Sequence, residues 1–217
     1  RPWISNYELD KLEEKFIIDN GAIPSFKGFE GYPASICTSV NETVVHGIPS
    51  KDIILKEGDI ISVDIGTIVD GYNGDAARTF PVGKISKEKQ KLIDVTKQCF
   101  FEGIKHLRPG AKLGELGNAV QTYAESFGYG VVRELVGHGI GHNMHEDPEV
   151  PNYGKPNHGI TVKENMCLAI EPMITMGERY IYMEDDGWTI KTDDGLPAGH
   201  YENTVIVTAN GVEILSL

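Results

Sequence analysis

The sequence of 217 residues has few cysteines and comparatively few cationic side chains. Its three cysteines are widely spaced and form no CxxC pair, which favours reduced thiols in a cytoplasmic protein over a disulfide framework. Lys and Arg number 20 against 32 Asp and Glu, and the formal net charge of -12 repels nucleic acid and anionic membrane surfaces. No apolar run approaches the roughly 18 residues of a membrane-spanning helix. We therefore expect a cytoplasmic protein that has neither nucleic acid nor a membrane as a partner.

The length and the 40% hydrophobic content predict one globular domain that mixes helices and strands. Helices are predicted from apolar spacing at 5–20, 86–107 and 113–127, and the first two begin with a serine cap. Strands are predicted at 35–40, 131–138, 162–174 and 201–208, with a hairpin at 59–80. The first helix should bury one apolar face, made of Leu9, Leu12, Phe16 and Ile17.

The hairpin carries two acids. Residues 60–66 alternate apolar and polar side chains, which is typical of a half-buried strand with Asp64 on its more polar face. The Asp70–Gly71 step predicts the turn, so Asp64 and Asp75 should lie opposite each other with Cβ atoms roughly 4.5–5.5 Å apart. Carboxylates that close repel, so either one is protonated or a cation lies between them. A pair of solvated acids beside a turn is the simpler interpretation of this stretch alone.

An internal repeat supports the interpretation that a cation lies between the acids. A shift of 107 positions lays Asp64 on Glu171, and slightly different shifts lay Asp75 on Glu202 and His46 on His145. The repeat predicts two α+β halves, about 1–85 and 86–217, related by a pseudo-twofold axis with the four acids converging between them. Helix 86–107 of the second half has no counterpart in the first, so we also expect an upstream helix of about twenty residues in the natural protein.

Five side chains have the chemistry of metal ligands: Asp64, Asp75, His138, Glu171 and Glu202. Four carboxylates and one imidazole suit two divalent metal ions of the Mn, Fe, Co or Zn kind. Two such ions roughly 3.5–4 Å apart would share a water and lower its pKa toward neutrality, which generates a hydroxide nucleophile. The glycines beside His138 allow close approach of backbone and metal. The alternative for His138 is a turn histidine satisfied by a neighbouring carbonyl.

On these residues the chain resembles the type I methionine aminopeptidases, metalloenzymes of the pita-bread fold that remove the initiator Met from new polypeptides. The ligand spacing and the segments Ile170–Met173 and Tyr201–Thr204 carry the resemblance, which covers the whole chain apart from the missing first helix. It implies an α+β fold in which helices cover an antiparallel sheet, and two metal ions on the five ligands. It also implies that Glu171 is a general base, that His145 stabilises an oxyanion and that His46 contacts the substrate backbone.

The resemblance further implies a pocket for the Met side chain, lined by Phe29, Tyr32, Cys37, Met144 and Trp188. Aromatic and sulfur groups suit a thioether, and each such contact contributes roughly 0.3–1.5 kcal/mol. Taken singly, each of these residues is equally typical of ordinary core packing.

Two positions depart from the family pattern. His142 stands where an arginine is more usual, and Asn203 stands where a histidine usually follows the second glutamate. Neither is a ligand, so the departures concern only the surroundings of the metals. The remaining histidines, His106, His158 and His200, are predicted at the surface.

Other classes of protein share parts of this pattern. Proline-directed peptidases use the same fold and ligands but normally add an N-terminal domain. A non-catalytic binding module on this fold would be expected to have lost ligands, and a purely structural protein would not bury unpaired acids. We therefore expect a monomeric enzyme that acts on the N-terminal methionine of nascent polypeptides.

Overall fold

The computed structural model describes residues 2–216, which form helices and antiparallel sheets. The helices are α1 (Asn6–Asp19), α2 (Lys87–Ile104) and α3 (Leu113–Glu125). The strands of the first part of the chain are β1 (Ile23–Pro24), β2 (Cys37–Val40), β3 (Thr43–Val45), β4 (Ile60–Val69) and β5 (Tyr72–Pro81). Those of the second part are β6 (Gly130–Val131), β7 (Gly137–Gly139), β8 (Glu146–Val150), β9 (Cys167–Ile170), β10 (Met173–Thr175), β11 (Ile181–Met183), β12 (Ile190–Thr192), β13 (Ala198–His200), β14 (Asn203–Thr208) and β15 (Gly211–Ile214).

Four sheets organise these strands, and every pairing in them is antiparallel. The first has β4 at its centre, with β5 on one edge and β1 and β2 on the other. A five-stranded sheet follows the order β15-β14-β9-β7-β8. Two three-stranded sheets have the orders β13-β10-β6 and β11-β12-β3. The predicted mixture of helices and antiparallel sheet is confirmed.

The three helices lie where the sequence predicts them, and the serine caps of α1 and α2 are present, whereas Lys112 is the N-cap of α3. Ser5 and Glu8 form a capping box at the start of α1, and the Ser86 hydroxyl accepts the Lys89 N–H at 3.2 Å. The predicted strand 131–138 is wrong in its middle, because residues 132–136 leave the sheet between β6 and β7. Within residues 2–216, no helix combines the length and the apolar character needed to cross a membrane.

Helix α1 buries a different face from the predicted one. Ile17 is buried as expected, but Leu12 is 59% exposed and Phe16 is 65% exposed. The buried positions instead include Asn6 and Asp10. These polar residues hold other segments of the backbone in place. Asp10 accepts the backbone N–H groups of residues 35 and 36 at 2.7 and 3.3 Å. Asn6 donates to the Thr38 hydroxyl at 2.9 Å and accepts the Ser50 N–H at 2.8 Å.

The largest hydrophobic core lies between α2, α3 and the five-stranded sheet. Phe100 of α2 and Leu116 of α3 are fully buried there against Leu168 and Val205 of the sheet. A second, smaller cluster contains Tyr32 and Cys37 and packs against Trp188. The large core holds β9 and β14 in place, and the small one forms a wall of the cavity described below.

Candidate active site

The hairpin of β4 and β5 carries Asp64 and Asp75, as predicted. Its turn residues Asp70 and Gly71 both have positive φ, at 50° and 81°, which a two-residue hairpin loop of the primed type requires. The predicted register is wrong by two residues, because Asp64 pairs with Ala77 and Asp75 pairs with Gly66. The two acids are therefore diagonal neighbours on the same face of the sheet.

That face is the buried one, contrary to prediction. Ser62, Asp64 and Gly66 are buried, whereas Val63 and Ile65 on the opposite face are half-buried. The polar positions of β4 point into the molecule because they meet the segments that carry the other acids. A Cβ on Gly66 would lie 2.4 Å from the Phe26 ring, so glycine permits this close packing.

Hydrogen bonds join β5 to the segment that carries Glu202. The Glu202 N–H donates to the Ala77 carbonyl at 2.9 Å, and the Asp75 N–H donates to the Thr204 hydroxyl at 2.8 Å. The Arg78 guanidinium donates to the Glu202 carbonyl oxygen and lies over the Tyr201 ring, 4.2 Å from its centroid. These contacts involve backbone groups, the Thr204 hydroxyl and the Arg78 guanidinium, and none of them uses the carboxylate of Asp75 or Glu202.

His138 lies on β7 between two glycines with a clear steric role. A Cβ on Gly137 would lie 2.4 Å from the Ala169 carbonyl oxygen, and one on Gly139 would lie 2.2 Å from that of Asp147. Because glycine has no side chain, the neighbouring strands β9 and β8 can pack closely against β7. The His138 Nδ1 lies 2.8 Å from the Gly139 carbonyl oxygen. Since a carbonyl only accepts, Nδ1 carries the proton of the neutral ring and Nε2 presents a lone pair, as a metal-binding histidine does.

The four acids are held at a high electrostatic cost. Burial raises the pKa of Asp75 to about 7, and burial together with the neighbouring Asp75 holds the pKa of Glu171 well above its usual range. The pKa values of Asp64 and Glu202 are raised in the same direction, first by burial and then by the other acids. One carboxylate oxygen each of Asp64, Asp75 and Glu202 has no hydrogen-bond partner among the described residues. Cations bound at these oxygens would neutralise the buried acids and would give the unpaired oxygens a partner.

Two triads of side chains have ligand atoms within 4.8 Å of one another. One consists of Asp75, His138 and Glu202, and the other consists of Glu171, His200 and Glu202. Asp64 belongs to neither triad, but burial and, after it, the neighbouring Asp75 carboxyl group raise the pKa of Asp64. Carboxylate oxygens and neutral imidazole nitrogens fit first-row divalent ions, and the orphaned oxygens lie where such ions would bind.

His200 is buried, so the prediction that it lies at the surface is wrong. Its side chain on β13 is only 2% exposed. Its Nε2 lies 3.5 Å from Oε2 of Glu171 and 3.9 Å from Oε2 of Glu202. His200 lies two residues before Glu202 in the sequence, and this spacing is the signal that could have predicted its place in the site. His158 is exposed as predicted, and His106 is half-buried.

A cavity of about 180 Å³ is lined by all twelve of the predicted site residues: Phe29, Tyr32, Cys37, His46, Asp64, Asp75, His138, Met144, His145, Glu171, Trp188 and Glu202. Phe26 and Glu30 also line it and were not predicted. Four of the lining acids lie close together, and aromatic and sulfur side chains provide the apolar part of the lining. The structure brings these residues together, while their individual roles stay predictions.

His46 and His145 both line this cavity, His46 directly after β3 and His145 directly before β8. His145 contacts the Phe29 and His138 rings edge to face, with centroids 5.2 and 4.3 Å apart. His46 has φ of 58°, an uncommon value for a non-glycine residue, and burial lowers its pKa to about 4. Burial also lowers the pKa of His145. Both rings are therefore neutral near pH 7 and can donate one N–H each.

The two departures from the family pattern have structural partners. His142 stacks on Tyr72, with ring centroids 4.2 Å apart, and its Nδ1 lies 3.0 Å from the Gly71 carbonyl oxygen. Asn203 accepts a hydrogen bond from Arg78 at 2.6 Å. His142 therefore supports the tip of the hairpin, and Asn203 supports the segment around Glu202.

Known proteins match this chain along its whole length. The profile of Metallopeptidase family M24 matches residues 1–209. A methionine aminopeptidase of Clostridium acetobutylicum is 56% identical over 217 residues, which are 100% of this chain and 87% of that protein. The crystal structure of methionine aminopeptidase from Rickettsia prowazekii superimposes with a TM-score of 0.98 at 43% identity, covering 100% of this chain and 88% of the other.

Prolidase from Pyrococcus furiosus has a similar fold. Its TM-score is 0.78 at 24% identity, and the match covers 100% of this chain but only 56% of the prolidase chain. At that identity the likeness concerns the fold alone. With the sequence identities and the α+β architecture taken together, the chain belongs to metallopeptidase family M24 and, within it, to the methionine aminopeptidases of the pita-bread fold.

Proposed function

We propose that this enzyme removes the N-terminal methionine from nascent proteins and peptides whose second residue is small, as a cytoplasmic monomer with one catalytic domain. Its substrate class comes from its relatives, and one observation in the structure carries the proposal. Four carboxylates and the lone pair of His138 lie close together in a cavity whose lining is otherwise largely aromatic and sulfur-rich. A hydrolytic centre beside a thioether pocket suits cleavage after an N-terminal methionine.

The proposed metal ligands are Asp64, Asp75, His138, Glu171 and Glu202, which would hold two divalent ions. Bound ions of this kind act as Lewis acids and lower the pKa of water toward neutrality. The raised pKa values of the four acids and their orphaned oxygens support this assignment, because the unneutralised cluster is unfavourable. The triads that share Glu202 support the number two.

Side chains that line the cavity carry out the remaining steps of peptide hydrolysis. The Glu171 carboxylate takes a proton from the attacking water as its oxygen bonds to the peptide carbonyl carbon, and the carbonyl electron pair moves onto oxygen. The N–H of neutral His145 stabilises that developing oxyanion, and His46 donates to the substrate backbone. The C–N bond then breaks, and the proton held by Glu171 passes to the departing amine.

The methionine side chain would lie against the aromatic and sulfur side chains of the cavity. Tyr32 and Trp188 meet edge to face there, with centroids 5.0 Å apart, and Trp188 also lies 6.4 Å from the His46 ring. Cys37 is paired with Asp64 across β2 and β4, which brings this pocket next to the proposed metals. Phe29 and Met144 complete the lining.

The test uses protein loaded with Co²⁺ and three kinds of short peptide. We expect free methionine from Met-Ala peptides, and no release from Met-Leu peptides or X-Pro peptides. The matched control is Glu202→Gln, which removes a charge shared by both triads and should abolish turnover and metal binding.

Each alternative gives a different result. Cleavage of X-Pro peptides without cleavage of Met-Ala peptides would replace this proposal with a proline-directed peptidase. Tight metal binding without cleavage of any peptide would indicate a non-catalytic binding module.

A further inference from the structure

His200 is a buried histidine that the proposed mechanism does not use. Its backbone is fixed by Thr79, whose hydroxyl accepts the His200 N–H and donates to the His200 carbonyl oxygen, both at 2.9 Å. On the other side, His200 pairs with Met173 of β10. The backbone of His200 is therefore held by strand pairing and by Thr79.

The ring points its Nε2 toward the acids. This atom is buried and has no hydrogen-bond partner in the part of the chain that the structure describes. Its nearest acidic neighbour is Oε2 of Glu171 at 3.5 Å, and Oε2 of Glu202 is further away at 3.9 Å. A buried imidazole nitrogen without a hydrogen-bond partner is unfavourable. The placement of Nε2 between two acids therefore indicates a polar interaction with one of them.

The two oxygens of Glu171 face two different histidines. Oε1 lies 3.7 Å from Nε2 of His138, the nitrogen that presents a lone pair, whereas Oε2 faces His200. A lone pair and a carboxylate oxygen repel unless a cation lies between them, so Oε1 is on the side of the proposed metal. Oε2 is on the side where a hydrogen-bond donor is available.

We propose that His200 is a positioning residue whose Nε2–H donates a hydrogen bond to Oε2 of Glu171 and so directs Oε1 toward the metal. This inference rests on the proposed function. The observed separation exceeds an ordinary hydrogen bond by roughly half an ångström, which a small rotation of the carboxylate closes. Partners of this kind orient metal ligands, and their loss typically lowers metal affinity roughly 10- to 100-fold.

The test compares two substitutions of His200 for binding of Co²⁺. His200→Gln keeps an N–H donor at the same distance along the side chain, and His200→Leu keeps bulk without a donor. We measure Co²⁺ affinity and stoichiometry by calorimetry and record the visible absorption of the bound cobalt. We expect His200→Leu to weaken binding roughly 10- to 100-fold with unchanged stoichiometry and band positions, and His200→Gln to stay within about threefold of the parent.

The control is His158→Leu, which removes an exposed histidine and should leave binding unchanged. Circular dichroism verifies folding, and His200→Val replaces His200→Leu if the latter does not fold. Equal loss in the Gln and Leu variants with shifted cobalt bands would make His200 a direct ligand and overturn the proposal. Unchanged affinity in the Leu variant would overturn it too, since the ring would then only fill space. Failure of the parent to bind Co²⁺ would instead refute the proposed function.

Discussion

Neutralising one acid of the site should make the metal-free protein more stable while destroying its metal centre. The perturbation is Asp75→Asn, which keeps the shape of a side chain that is buried on β5. Burial raises the pKa of Asp75 from 3.8 to about 7. The folded state therefore binds a proton that the unfolded state releases, and the metal-free protein loses stability as pH rises between about 4 and 7.

The size of the effect follows from this shift. Each pKa unit corresponds to about 1.36 kcal/mol, so the acid costs the folded state roughly 4 kcal/mol at pH 8 and roughly 1–2 kcal/mol at pH 5. Asparagine has no such cost at either pH. An ordinary domain has a free energy of unfolding of about 5–15 kcal/mol, so the gain at pH 8 is large enough to measure.

The assay is urea unfolding at pH 5 and pH 8 in the presence of a chelator. We expect Asp75→Asn to be more stable than the parent at both values, with the larger difference at pH 8. The control Asp52→Asn removes an exposed acid and should change stability by less than about 0.5 kcal/mol. Added Co²⁺ should stabilise the parent, by about 2.7 kcal/mol at a hundred times its Kd, and should leave the variant nearly unchanged. A variant that is less stable than the parent at pH 8, or a difference that is equal at the two pH values, would refute the electrostatic reasoning.

Two further substitutions test other parts of the site. His145→Ala should lower kcat by roughly 10²–10³ without changing metal content, because its N–H acts on the oxyanion, and metal analysis showing loss of an ion would instead make His145 a ligand. Gly47→Ala would place a Cβ 2.2 Å from the Thr38 carbonyl oxygen, so it should displace the loop of His46 and lower the free energy of unfolding by roughly 1–3 kcal/mol. Gly74→Ala, with open space around its Cβ, is the matched control, and equal urea midpoints for the two variants would contradict the steric argument.

The sequence was informative wherever local rules decide the structure. The Asp70–Gly71 turn forms because both positions need positive φ, and the helix caps form because serine at these positions satisfies free N–H groups. The convergence of the site residues in one cavity was also predictable, because the repeat and the family resemblance both relate distant segments. These inferences need no knowledge of which surfaces meet.

The errors arose where tertiary contacts override local pattern. Periodicity gave α1 an apolar buried face, but the chain at residues 35 and 36 offers backbone N–H groups that only a side chain such as Asp10 can satisfy. The same limitation explains the misplaced face of β4, where Asp64 is buried because the other acids meet it there. His200 has no neighbouring apolar pattern that marks it as buried, and short strands such as β13 contain too few residues to display a period.

The site separates the bonds that hold it together from the groups that perform its chemistry. Backbone groups, Thr204 and Arg78 join β5 to the Glu202 segment, and none of these contacts uses the carboxylate of Asp75 or Glu202. The acids can therefore be held close together although they repel, because hydrogen bonds that do not use the carboxylates and the core beneath β9 and β14 resist the repulsion. It follows that removing one charge should leave this framework intact and release only the electrostatic cost. For this reason stability without metal and affinity for metal should change in opposite directions when Asp75 is neutralised.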